Sequence, residues 1–215
     1  MTVIAPTITT DNPEVYSQRL VEFLTFAPWI HIDIADGEFA PSRTINLNQL
    51  YWPPADYRNS KIGLHLMIKR PIDWLDQIVS LAPDKVILHA ESDDAHNMLP
   101  QIFQHLRQFG IICGLAILPE TDPAMVADLI NIADVVLIFG GKLGYQGGVA
   151  DLIQLEKIER IWSVNSDMTI EYDGGANARN IAQIAEAGVD HINVGSAITN
   201  APNAQQAYEE LTRLC

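Results

Sequence analysis

A single-domain (β/α)8 barrel of the α/β class is the fold this 215-residue sequence predicts, on three observations. Eight short runs rich in β-branched residues recur along the chain. The stretches between them carry apolar residues at helical spacing. Polar residues of an unusual kind collect at the C-terminal ends of several runs, where a barrel of this type places its chemistry.

Taken in order, the runs are VIAPTI, WIHIDIA, KIGLHLMI, KVILHAE, IICGLAIL, DVVLIFG, MTIEYDG and HINVGSA. Helices are predicted in PEVYSQRLVEFLTF, PIDWLDQIVSLA, AHNMLPQIFQHLRQFG, DPAMVADLINIA, DLIQLEKIERIWS and ARNIAQIAEAG. Several of these open on Asp or Asn with Pro nearby, and two end on Gly, the usual start and stop chemistry. Eight strands alternating with helices close naturally into a parallel barrel. The rival is an open doubly wound sheet, but the G-x-G-x-x-G turn of a dinucleotide fold and the Walker lysine motif are both absent.

One domain spanning 1–215 is expected, because the length suits one barrel and no Pro/Gly/Ser linker, low-complexity tract or short repeat interrupts the chain. The composition, 48% hydrophobic and 19% charged, is that of a globular protein. A formal charge of -14 repels nucleic acid and anionic membrane surfaces, so neither is expected as a partner. The N-terminal residues lack a basic, apolar signal pattern and no apolar run reaches bilayer length, so a cytoplasmic protein is expected. Cys113 and Cys215 are too few for a disulfide framework or a zinc cluster.

Side chains on a barrel strand alternate between the helices and the barrel axis. In WIHIDIA, Ile30, Ile32 and Ile34 share one face and His31 and Asp33 the other, which points inward. In KIGLHLMI the inward set is Gly63, His65 and Met67. Strand four brings His89 and Glu91 inward, and Asp173 ends strand seven just before a glycine pair. A single inward histidine is ordinarily hydrogen-bonded core, and a terminal aspartate is often a helix cap. Two imidazoles and two carboxylates converging at one end, however, leave unpaired buried charge unless a cation neutralises it. A divalent metal is the economical solution, and mixed nitrogen and oxygen ligands suit zinc, iron, manganese or cobalt. GGKLGYQGG after strand six, DGGAN after strand seven and VGS after strand eight offer backbone N–H groups, and loops seven and eight commonly hold phosphate in this architecture.

These segments resemble the ribulose-phosphate 3-epimerases. The similarity runs through IAPTIT, HIDIADGEFAPS, GLHLMI, LHAES, GLAILPET, DVVLIFGGKLGYQGG, EYDGGAN and AGVDHINVGSAI, nearly the whole chain in family order. The resemblance implies one divalent metal per chain held by His31, Asp33, His65 and Asp173. It also implies proton transfer by Asp33 as acceptor and Asp173 as donor, a sugar-phosphate substrate and a homo-oligomer. Substrate contacts are expected from Thr7, His65, Gly144, Tyr145, Gln146, Gly147, Gly174, Gly175, Gly195 and Ser196. Inverting C3 of a 2-ketose phosphate removes a proton beside the carbonyl and returns one to the opposite face, so two carboxyl groups and a Lewis acid fit the task.

The sequence departs from the family in the walls. Thr7 replaces Ser, Ala35 replaces the methionine of MDG, and Phe139, Gly140 and Gly141 replace MSV. Leu143 replaces Pro, Gln146 replaces Gly and Gly148 replaces Gln in the PGFGGQ loop. The expected substrate is D-ribulose 5-phosphate. The alternatives are another ketose phosphate such as allulose 6-phosphate, or a barrel that binds a sugar phosphate without turning it over.

Overall fold

The computed structural model describes residues 2–215. Its strands are β1 (Val3–Ile8), β2 (Trp29–Ala35), β3 (Lys61–Met67), β4 (Lys85–His89), β5 (Ile112–Ile117), β6 (Val135–Phe139), β7 (Thr169–Asp173) and β8 (His191–Val194). Each pairs in parallel with the next, and β1 pairs with β8, so the sheet closes as the expected barrel. The β1 and β2 bounds coincide with the runs read from sequence, while the other six strands stop one to three residues sooner at one or both ends.

The helices are α1 (Pro13–Phe23), α2 (Leu75–Leu81), α3 (Ala95–Arg107), α4 (Ala127–Ile132), α5 (Lys157–Val164), α6 (Ile181–Glu186), α7 (Ser196–Thr199) and α8 (Ala204–Thr212). Asn12 caps α1, its side chain accepting from the N–H groups of Glu14 and Val15. Three of the predicted helices open as tight 3-10 turns, at Pro71–Trp74, Pro123–Val126 and Leu152–Glu156, before the α-helix begins. Between β2 and β3 no α-helix forms, only two short 3-10 turns. Pro41, Pro53 and Pro54 in that stretch remove backbone donors and restrict their neighbours, which disfavours a continuous helix.

Two apolar regions hold the barrel. Ile30, Ile32, Ile34, Ile62, Leu64 and Leu66 are buried between strands and helices, as the alternation requires. Ile87, Ala116, Leu137 and Phe139 form a separate cluster on the barrel axis. The axis also carries buried polar groups. Near the N-terminal end the Lys85 ammonium pairs with the Glu171 carboxylate, both side chains being 5% exposed or less. Lys85 also sits 4.5 Å from the centre of the Trp29 ring. Its stem runs beside Gly63, where a β-carbon would approach Lys85 Cε to 3.1 Å. Burial alone would raise the Glu171 pKa, but Lys85 holds it below the ordinary range.

Candidate active site

Strand register brings the site together at the C-terminal end of the barrel. His31 and Asp33 lie two residues apart on β2, and Asp33 is level with His65 of β3. Asp173 ends β7 opposite Phe139. One donor atom from each of His31, Asp33, His65 and Asp173 falls within a cluster whose members all lie within 4.8 Å of one another, and all four residues are buried. His65 Nδ1 is 3.0 Å from Asp33 Oδ1 and 3.5 Å from Asp173 Oδ2. His31 Nε2 is 3.2 Å from Asp33 Oδ1 and 3.6 Å from Asp173 Oδ2. It is nevertheless aligned for a hydrogen bond with neither, and remains a buried nitrogen without a hydrogen-bond partner.

That orphaned nitrogen, set between two carboxylates, fits a cation better than a protein hydrogen bond. Burial disfavours the charged imidazole, yet Asp173 and Asp33 overcome it and push His31 up to about 9. His65 is raised by the same carboxylates against the same burial. Burial works to raise Asp33 as well, but the two imidazoles hold it well below the usual carboxylate range. The cluster therefore favours positive charge, and a divalent ion held there would take the place of the imidazole protons and release them.

The fifth and sixth polar residues read from strand four take a different place. His89 Nε2 lies 2.9 Å from His65 Nε2, and His89 Nδ1 lies 3.3 Å from Glu91 Oε2. Glu91 Oε1 in turn accepts from the Leu118 N–H at 2.9 Å and from the Thr121 hydroxyl. Burial pushes His89 down to about 4, which keeps its ring neutral at pH 7. A neutral His89 that donates Nδ1–H to Glu91 must accept at Nε2, so His65 donates from Nε2, and its Nδ1, which donates to Asp33 while the ring is charged, is the nitrogen that would turn a lone pair to a metal once deprotonated. His89 and Glu91 thus set the tautomer of a candidate ligand. Replacing His89 with Leu should weaken binding of a divalent metal by about 10- to 100-fold with the barrel still folded. Titration of metal-stripped protein followed by calorimetry measures it, and unchanged affinity would remove His89 from this role.

Above the cluster a pocket is lined by Asp33 and Asp173, by Thr7, Met67 and Phe139, and by the glycine loops. Gly144, Tyr145, Gln146, Gly147, Gly175, Gly195 and Ser196 all reach its wall. His65 and Gly174 do not. His65 is fully buried below the wall, and Gly174, at φ +132°, packs so closely on the Gly140 and Gly141 backbone that a β-carbon would collide with it. Thr7 directs a buried hydroxyl that has no partner within the protein. Lys142 is the one cationic side chain on this wall among the described residues. Its ammonium lies 4.5 Å from the centre of the Tyr145 ring. The loop is tied across the barrel mouth by the Ser42 hydroxyl, which donates to the Gly144 carbonyl. The free space beneath is about 30 Å³. The 141–148 loop therefore stands close over the donor cluster in this structure.

Residues 3–199 match the model of the ribulose-phosphate 3 epimerase family. The chain belongs to that family. It is 30% identical to the ribulose-phosphate 3-epimerase of Synechocystis sp. over 188 residues, covering 84% of this chain and 80% of the relative. It is 31% identical to the Mycobacterium leprae ribulose-phosphate 3-epimerase over 198 residues, covering 87% and 84%. Among solved structures, 3-hexulose-6-phosphate synthase from Salmonella typhimurium superposes with a TM-score of 0.74 at 14% identity, covering 99% of this chain and 98% of that one. At that identity the match speaks for the barrel alone. An enzyme of the isomerase class, acting on carbohydrates, follows from the family.

Strand alternation exposes the four-residue cluster, and the same alternation carried one residue past β1 also turns Thr9 inward with Thr7. Thr9 donates to Asp33 Oδ2 at 2.5 Å. A threonine hydroxyl carries no charge, so the sequence does not set Thr9 apart from the apolar residues beside it.

Proposed function

We propose that the protein is a metal-dependent epimerase that inverts C3 of a phosphorylated ketose, interconverting D-ribulose 5-phosphate and D-xylulose 5-phosphate. The observation that carries this reading is that Asp33 and Asp173 both belong to the buried four-donor cluster and both reach the pocket wall. A carboxylate on each side of the reacting carbon is what inversion at an acidic C–H requires. Asp33 accepts the C3 proton, a 2,3-enediolate forms, and Asp173 donates to the opposite face. His31, Asp33, His65 and Asp173 would hold a zinc, iron, manganese or cobalt ion, which would supply Lewis-acid charge stabilisation at this end of the barrel. The amides of the Gly147, Gly175 and Gly195–Ser196 segments hold the phosphate, and Lys142 offsets part of its charge on an otherwise acidic chain. Met67 and Phe139 keep the wall around the sugar apolar and limit water. Elemental analysis together with turnover of a panel of ketose phosphates tests the reading. Metal-free protein with full activity, or metal-loaded protein that turns over no ketose phosphate, would overturn it.

Gln146 shapes the substrate range. Its side chain occupies the notch left by Gly195, where a β-carbon would come within 2.9 Å of Gln146 Nε2. Nε2 donates to the Thr7 carbonyl at 3.2 Å, and Oε1 accepts from the Thr199 hydroxyl at 3.4 Å. Removing it widens the phosphate end of the pocket. Gln146→Gly should therefore shift the ratio of kcat/KM between ribulose 5-phosphate and a six-carbon ketose phosphate such as allulose 6-phosphate, in favour of the larger sugar. Paired steady-state kinetics read the shift, and an unchanged ratio would place the selection at Thr7 and Phe139 instead.

A further inference from the structure

The two oxygens of Asp33 face different surroundings. Oδ1 lies against His65 Nδ1 at 3.0 Å and His31 Nε2 at 3.2 Å, inside the cluster. Oδ2 accepts from Thr9 Oγ1 at 2.5 Å. Thr9 also lines a separate side cavity of about 160 Å³, shared with Thr10, Arg19, Thr199, Asn200 and Gln146. At roughly 10–15 Å³ for each water position, a cavity of that size and polarity holds several waters. Gln146 stands on the walls of both spaces, and its bridge from the Thr7 carbonyl to Thr199 partitions them. Thr9 is thus the hydroxyl that joins Asp33 to water without passing through the reaction pocket.

We infer that Thr9 carries the proton accepted by Asp33 out to water in this side cavity, which serves as the proton-exchange port of the enzyme. The inference rests on the reading of Asp33 as proton acceptor. A two-carboxylate inversion ends with Asp33 protonated and Asp173 without its proton. Both must be reset before the next turnover in the same direction. While the carboxylate is ionised, the Thr9 O–H donates to Oδ2. Once Asp33 holds the C3 proton the bond reverses: the Asp33 O–H passes its proton to Thr9 Oγ as the Thr9 proton moves to a cavity water. One O–H bond breaks on Asp33, one breaks and one forms on Thr9, and one forms on water, so Thr9 ends neutral and nothing but solvent is consumed. Asp33 keeps its seat throughout, because its other oxygen is held by His65 Nδ1 at 3.0 Å.

The test uses metal-loaded Thr9→Val, Thr9→Ala and Thr9→Ser proteins with ribulose 5-phosphate in deuterated water. Slow proton return limits the interconversion of free enzyme forms, so kcat and KM fall together while kcat/KM holds. In Thr9→Val we expect kcat to fall about tenfold with kcat/KM kept within about twofold. Deuterium at C3 of recovered, unreacted substrate should fall several-fold relative to that in product, because the proton on Asp33 returns before it exchanges. Thr9→Ser restores both quantities, and Thr9→Ala, which leaves room for a water in place of the hydroxyl, exchanges faster than Thr9→Val. Metal content stays at the wild-type level in all three. A fall in kcat/KM at constant KM with the substrate label unchanged would show that Thr9 only positions Asp33 and would overturn the inference. So would Thr9→Val kinetics equal to wild type. A wild-type enzyme that introduces no deuterium at C3 would instead overturn the acceptor role of Asp33, and the port with it.

Discussion

Asp33→Asn and Asp173→Asn should each lower kcat by about 10³-fold or more, the upper range for removing a positioned proton carrier. Each change removes a carboxylate that both faces the pocket and belongs to the candidate metal cluster. The barrel should remain folded, since the apolar residues between strands and helices are untouched. Assays at saturating metal, with circular dichroism as the folding control, separate lost proton transfer from lost metal. Either variant retaining more than about a tenth of wild-type kcat would exclude its carboxylate from the chemistry.

The largest stability effect is expected far from the pocket. Lys85→Met leaves the Glu171 carboxylate buried at the N-terminal end of the barrel, where Glu171 Oε2 already lacks a hydrogen-bond partner. Removing one member of such a pair costs about 3–5 kcal/mol, because the remaining charge is stranded, whereas replacing both members by apolar groups of similar volume is often neutral. His191 does not rescue Glu171: its Nδ1 is 3.9 Å from Glu171 Oε1, beyond hydrogen-bond reach. Chemical denaturation of Lys85→Met and of the Lys85→Met, Glu171→Leu double variant checks the expectation. A loss below about 1 kcal/mol in the single variant would mean that Glu171 is neutral in the fold or reaches water.

Period-two alternation made the candidate site legible in the sequence. It separates Ile30, Ile32 and Ile34 from His31 and Asp33, and the buried apolar layer and the donor cluster follow that division. Alternation also contained the Lys85–Glu171 pair, since Lys85 lies two steps of two before His89 and Glu171 one step before Asp173, but only the strand register shows that the two meet across the barrel. The connection after β2 resisted reading for a local reason: its prolines disfavour a continuous helix, and its 3-10 turns carry no long periodicity. His89 and Glu91 were legible as inward polar residues but not as a chain leading to His65, because adjacency across β3 and β4 depends on side-chain reach. Gln146 was visible as a departure from the family, while its seat over Gly195 depends on two loops meeting in space.

The central claim is that two aspartates serve opposite faces of one enediolate, and hydrogen exchange at C3 tests it most directly. Metal-loaded Asp33→Asn and Asp173→Asn proteins are incubated separately with ribulose 5-phosphate and with xylulose 5-phosphate in deuterated water, and C3 label is read by mass spectrometry. The account predicts that residual exchange in each variant comes from one epimer only, the one whose C3 proton faces the surviving carboxylate, and that the two variants select opposite epimers. Exchange from both epimers at equal rates in either variant would mean a single mobile base and would contradict the assignment of Asp33 and Asp173.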